Sequence, residues 1–286
     1  MALVTLTDLF SRYPDRTVAA FNVHNMEYMQ AVLQAAEAAA APVILMVGAP
    51  MLPYFGMGWI SALCRYAAAS SRQDICIHLD HSRDETQILQ AIQAGFSSVM
   101  FDGSHLPLVE NIRRTQQMAA AAHAVGITLE GEVGVLAGIE DSEATSQGSL
   151  TETADAVRFA EATGVNALAV AIGNKHGFYK GEPRLNFDRL AEIHQAVSCP
   201  LVMHGGSDTP AEQVHRLLGL GIRKFNFGTE LKAAFAEGVR KALAVNPQVI
   251  EPPQLLGPAR EAVRQRTAAK LALLGWGAER EVNAGD

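Results

Sequence analysis

Residues able to hold a cation and move a proton stand at the ends of apolar runs along this chain. Ile75-Cys76-Ile77-His78-Leu79 stops on Asp80-His81-Ser82. Later runs give way to Asp102-Gly103-Ser104-His105, Glu132, Asn174-Lys175-His176-Gly177, His204-Gly205-Gly206-Ser207 and Asn226-Phe227-Gly228-Thr229. Neutral imidazole is the commonest protein ligand for a divalent metal, and three protein ligands with one open position make a site that can act on a substrate. His81, His176 and His204 are therefore the candidate ligands. Asp80 either orients a bound imidazole or serves as acid and base; Asp102 and Glu132 either cap and pair locally or hold a second cation through oxygen. The Gly205-Gly206-Ser207 and 226–229 segments suit an anion, because backbone N–H groups and a helix amino terminus converge there. His24, His78 and His105 are weaker candidates, while His123, His194 and His215 fall within helical runs and read as surface groups.

Such scattered groups need a scaffold that gathers strand ends. Eight strand-like runs are visible, at 18–23, 42–47, 75–80, 97–101, 127–132, 167–172, 200–203 and 222–227. Between them lie runs with apolar residues at helical spacing, such as 28–40, 85–94, 108–122, 153–163 and 211–218, several ending in glycine. The alternation predicts an α/β fold, a single (β/α)8 barrel over residues 1–286, with every polar group above on one rim. No G-x-G-x-x-G follows the first strand, which argues against a doubly wound dinucleotide fold. Residues 136–150 are polar and lack periodicity, and are expected to form a mobile lid. Residues 246–258 break the last barrel helix, and 259–275 read as an extra carboxy-terminal helix.

Of 286 residues, 49% are hydrophobic, enough for a buried core, and the formal charge of −7 leaves no basic footprint for nucleic acid or an anionic membrane. Any anion needs a local site. Cys64, Cys76 and Cys199 stand far apart and read as buried thiols rather than a disulfide framework. No apolar run is long enough to span a bilayer, and a cytoplasmic location is expected.

Taken in order, AFNVHNME (20–27), HLDH (78–81), SVMFDGSHLP (98–107), EGEVG (130–134), AVAIGNKHGFY (169–179), LVMHGGS (201–207) and KFNFGTELKAAF (224–235) resemble the class II metal-dependent ketose-bisphosphate aldolases over nearly the whole chain. The tagatose-1,6-bisphosphate branch is the most similar; LGPAREAV (256–263) also occurs in the fructose-bisphosphate branch. The resemblance implies reversible aldol cleavage that yields dihydroxyacetone phosphate, with Zn2+ on His81, His176 and His204 and a second cation position at Asp102 and Glu132. It implies Asp80 as the acid/base at the C4 oxygen and Glu140 as the group that exchanges the C3 proton. Gly177, Gly205, Gly206, Ser207, Asn226, Phe227, Gly228, Thr229 and Asn22 are implied around the substrate, with a monovalent cation (Na+ or K+) nearby. Arg260 is the candidate for the distal phosphate. A phosphorylated sugar is the implied partner, in a homodimer or homotetramer with a possible accessory subunit. Two departures bear on the substrate: Met46, Gly48 and Ala49 stand after the second strand, and the tail reads IEPPQ where relatives often carry a basic residue.

Three rivals compete. Lys175 and Lys224 near strand ends suggest a Schiff-base aldolase, which gives the carboxylates and three histidines no collective purpose. Three histidines and an aspartate also suit a metal hydrolase. A noncatalytic accessory barrel would have no need of Asp80 and Glu140.

Overall fold

The computed structural model describes residues 3–140, 143–145, 148–179 and 181–277. The elements run α1 (Leu6–Arg12), β1 (Val18–Asn22), α2 (Met26–Ala38), β2 (Val43–Gly48), α3 (Leu52–Phe55), α4 (Met57–Ser70), β3 (Ile75–Ser82), α5 (Glu85–Ala94), β4 (Ser98–Phe101), α6 (Leu108–His123), β5 (Thr128–Val133), β6 (Ala137–Glu140) and β7 (Glu143–Thr145). They continue with α7 (Thr153–Thr163), β8 (Ala167–Val170), β9 (Lys175–His176), α8 (Phe187–Ala196), β10 (Leu201–Met203), α9 (Ala211–Gly219), β11 (Ile222–Phe227), α10 (Thr229–Val245) and α11 (Pro252–Leu273).

The strands β1-β11-β10-β8-β5-β4-β3-β2 close into a parallel barrel, as the alternation predicts. Each of the eight expected runs holds one of them. Because helices cover the outside and side chains fill the inside, the strands are buried on both faces and read as continuous apolar runs. Helix boundaries follow local chemistry. Asn25 accepts from the backbone N–H of Tyr28 at the start of α2, and Asp84 caps α5. Gly95 and Gly164 end α5 and α7 in the left-handed conformation.

Phe21, Leu45, Ile77, Phe101, Phe159, Phe225 and their neighbours form the layer between strands and helices. A second cluster at the amino-terminal end of the barrel joins Ala20, Ile44, Met46, Cys76, Ala169 and Val202 to Leu6, Leu9 and Phe10 of α1. That end is filled with hydrocarbon, and the polar side chains of the strand ends gather at the other.

Three expectations are corrected. The 136–150 segment contains a hairpin, β6 and β7 pairing antiparallel, and β6 lies parallel to β9 in a small second sheet. Part of its pairing is with β9, distant in sequence, which periodicity does not register. The last helix begins at Pro252 rather than 259, since prolines in the first turn sacrifice no intrahelical N–H, and it carries Pro258 inside. Cys199 is half-buried, unlike Cys64 and Cys76. Burial pushes all three thiols up to about 12. Among the described residues no helix is long and apolar enough to cross a membrane.

Candidate active site

Adjacent residues of a regular strand point to opposite faces, so Asp80 and His81 could not both face the barrel mouth if β3 were regular. It is not. His81 adopts φ 51, left-handed for a non-glycine residue, and the pairing of β3 with β4 shifts register between Leu79 and Ser82. His78 and Asp80 thus share the interior face while His81 swings onto the rim. It meets His176 and His204, with ring centroids 4.9 and 4.6 Å away. One potential ligand atom from each of the three lies within 4.8 Å of the others, and the same holds for His81, Asp102 and Glu132. The two groups share His81, as two adjoining cation positions would.

His176 arrives on β9, which is held between β6 and the turn after β10. A Cβ on Gly138 would collide with the His176 carbonyl, and one on Gly205 with the Lys175 carbonyl. Both glycines also have positive φ (113 and 72), so the close approach that seats His176 needs glycine twice over. His204 follows β10, its backbone carbonyl accepting from the Asn174 amide at 3.1 Å. Its Nε2 lies 2.9 Å from Glu130 Oε1. Burial, then neighbouring His81, lowers His204 to about 4 despite Glu130, so the imidazole is neutral at neutral pH. Buried Nδ1 has no hydrogen-bond partner among the described residues and sits 3.8 Å from Glu132 Oε2. A neutral imidazole with one nitrogen engaged and the other turned into a cluster of ligand atoms is the state a divalent ion requires. The donor set of three imidazole nitrogens therefore fits zinc, and carboxylates adjoin it.

Asp80 is fully buried. The Asn22 amide donates to Oδ2 at 3.3 Å and the Asn226 amide approaches Oδ1 at 3.5 Å. Burial raises Asp102, but the hydrogen bond and charge of His81, with Ser104 and Arg83, outweigh it and hold the carboxyl well below the usual range. Glu132, on β5, faces the same mouth 3.7 Å from His81 Nδ1.

On the opposite side of the mouth, Gly206–Asp208 forms a single 3-10 turn, and buried Ser207 Oγ accepts from the backbone N–H groups of Gly228 and Glu230, each at 3.3 Å. The amino terminus of α10, beginning at Thr229, points there. Lys270 of α11 donates to the Ser207 carbonyl at 3.4 Å and pairs with Glu230 at 3.0 Å. Gly177 has φ 86 just beyond His176. These groups gather as the sequence indicates, with two exceptions, and the Glu140 side chain lies outside the described residues. Phe227 is core: its ring stacks on Phe21 and Phe225, because alternation along β11 turns Asn226 inward and Phe227 outward. Arg260 donates to Gln30 Oε1 at 2.8 Å across the α11–α2 interface. Glu140 itself ends β6.

Sequence reasoning missed Arg83 and Ser104, which line the cavity with His105, Gly48 and Pro50, and it missed the role of Glu130. Lys224, a candidate for imine chemistry, is fully buried in mid-strand with Nζ 2.9 Å from Glu130 Oε2, so it is not presented to a substrate. The signal for these groups was parity: Glu130 stands two residues before Glu132, and Lys224 two before Asn226.

A parallel barrel with a metal-type histidine cluster and a buried carboxylate at its carboxyl-terminal rim is a setting for metal-assisted chemistry. Comparison narrows this. The family model for class II fructose-bisphosphate aldolase matches residues 12–278, and the chain belongs to that family. It is an aldolase. It is 41% identical to the sulfofructosephosphate aldolase of Alkalicoccus urumqiensis, covering 90% of this chain and 91% of that one. It is 40% identical to the fructose-bisphosphate aldolase of Thermus caldophilus, covering 90% and 92%. The crystal structure of the YdjI aldolase from Escherichia coli K12 superposes with a TM-score of 0.84 at 32% identity, over 98% of this chain and all of that one. The putative fructose-1,6-biphosphate aldolase of Coccidioides immitis gives 0.82 at 28%, over 94% of each.

Proposed function

We propose that this aldolase carries out zinc-dependent, reversible cleavage of a ketose 1,6-bisphosphate of the tagatose type into dihydroxyacetone phosphate and glyceraldehyde 3-phosphate. The observation that carries this reading is the convergence of three imidazoles and buried Asp80 on one mouth, opposite a turn and helix terminus suited to a phosphate. Zinc, when bound by His81, His176 and His204, supplies a Lewis acid that draws electron density from the carbonyl as C3–C4 breaks. Asp80 takes the C4 hydroxyl proton, held in place by Asn22 and Asn226. Glu140 returns a proton to carbon. Gly177, Gly205, Gly206, Ser207, Gly228 and Thr229 hold the phosphate of the dihydroxyacetone half, with a monovalent cation nearby. Asp102 and Glu132 hold a second cation. A homodimer or homotetramer belongs to the same reading; exposed Trp59, Leu63 and Tyr66 at helical spacing on α4 support it, and sedimentation measures it.

A second reading is favoured by the relative named sulfofructosephosphate aldolase and by Gly48 and Pro50 lining the cavity after β2. In it the aldehyde half carries a different anion, such as a sulfonate. The test is a retro-aldol assay of the purified chain with and without chelator, on tagatose and fructose 1,6-bisphosphates, sulfofructose 1-phosphate and ketose 1-phosphates without a distal anion. The first reading expects chelator-sensitive triose phosphate release, fastest from tagatose 1,6-bisphosphate. Faster release from the sulfosugar replaces it with the second. Turnover that survives chelation sinks both.

A further inference from the structure

Beneath the rim the barrel interior holds a second charged layer that the reaction as outlined does not use. Glu130 and Lys224 are both fully buried, and burying either alone is costly. Glu130 divides its carboxylate: Oε2 lies 2.9 Å from Lys224 Nζ, and Oε1 lies 2.9 Å from His204 Nε2. His78 Nε2 stands 3.7 Å from Oε2 while its Nδ1 engages Ser98 Oγ at 2.8 Å. An ammonium has three donors and no acceptor, so whatever faces Lys224 must be an acceptor. With one oxygen committed there, the other is left to receive the proton of His204 Nε2.

We propose that Lys224 and Glu130 are positioning residues that select the His204 tautomer: the ammonium fixes the carboxylate, the carboxylate keeps the imidazole proton on Nε2, and Nδ1 is thereby the atom offered to a metal. This rests on the reading of His81, His176 and His204 as ligands. It assigns a purpose to two buried charges that packing alone does not require.

The inference makes an unusual demand on variants. In Glu130→Gln the amide has one oxygen and one NH2. Lys224 claims the oxygen, the NH2 turns to His204 Nε2, and the imidazole proton is driven to Nδ1, where it blocks ligation. Zinc affinity of the apo-protein, measured by competition with a chromophoric chelator, should fall about 10–100-fold, as for other groups that orient a ligand. Adding Lys224→Met frees the amide to turn its oxygen toward His204, and the double variant should regain most of the loss. A merely structural role predicts further loss on the second substitution. Glu130→Gln binding zinc as tightly as the unaltered chain, or a double variant no tighter than the single, overturns the inference.

Should Glu130→Gln alone fail to fold, as judged by melting of the apo-protein, the comparison moves to two uncharged pairs. Glu130→Gln/Lys224→Met retains an acceptor for His204 and Glu130→Leu/Lys224→Met does not. The second should bind zinc about tenfold or more weakly than the first, and equal affinities overturn the inference. An unaltered chain that binds no zinc removes the ligand reading itself, and this inference with it.

Discussion

The two halves of the mouth are built from different materials. The cluster of His81, Asp102, Glu132 and His204 is a lattice of mostly buried side chains fixed by one another: Asp102 receives Ser104 and lies against His81, and Glu130 spans Lys224 and His204. The half carrying Ser207 and Gly228 is made of backbone, with two N–H groups gathered on one hydroxyl and a helix terminus behind them. The difference is one of charge density. A divalent cation and a transferring proton need localised lone pairs in a low-dielectric setting, whereas a phosphate is satisfied by several partial charges that cost little to bury. Damage to the first half should remove chemistry, and damage to the second should remove only affinity.

The sharpest break is His204→Ala, expected to abolish metal content, read by elemental analysis, together with turnover. Asp80→Ala should retain the metal and lower kcat for cleavage by about 10²–10⁴-fold, the usual worth of a positioned acid/base. Full activity in that variant would remove Asp80 from the reaction. Across the mouth, Ser207→Ala leaves two N–H groups without their acceptor at a helix start, a change worth about 1 kcal/mol. It should raise KM for the phosphorylated ketose several-fold with zinc content unchanged; a lost metal would show that the halves are not separable.

The smallest effect concerns Glu230, pushed up to about 7 by burial, against the opposing pull of Lys270 and Arg266. A carboxyl whose folded value lies above its unfolded one contributes stability that is complete below about 4.5 and is lost as pH rises through about 7. The urea midpoint of the apo-protein should therefore gain less on going from pH 5 to 7.5 than it does in Glu230→Gln. Parallel profiles would refute the assignment.

How much of this was legible in the chain follows the same division. The barrel was, because eight β-rich runs alternate with helical ones and glycines punctuate them. The meeting of the three histidines at one mouth, with Asp80 buried beside them, was too, because they sit where apolar runs stop. Glu130 and Lys224 were obscured because a barrel strand is buried on both faces, so alternation reveals which residues share a side without saying which side is the interior. The β6–β7 hairpin was hidden because Ala137-Gly138-Ile139-Glu140 carries no apolar rhythm and is ordered by Lys175-His176, far along the chain. Arg260 was less legible, because a guanidinium in a helix finds a partner as readily on the neighbouring helix as in a cavity. Phe227 misled because a motif position does not tell a ring from its backbone.

The third imidazole does not belong to the barrel. His81 and His204 are carried by barrel strands or their ends, but His176 rides on β9, whose partner is the small accessory sheet. An ion gripped by all three would therefore act as a rivet between two separately laminated layers, and stripping it should loosen the outer layer while the cylinder beneath stays closed.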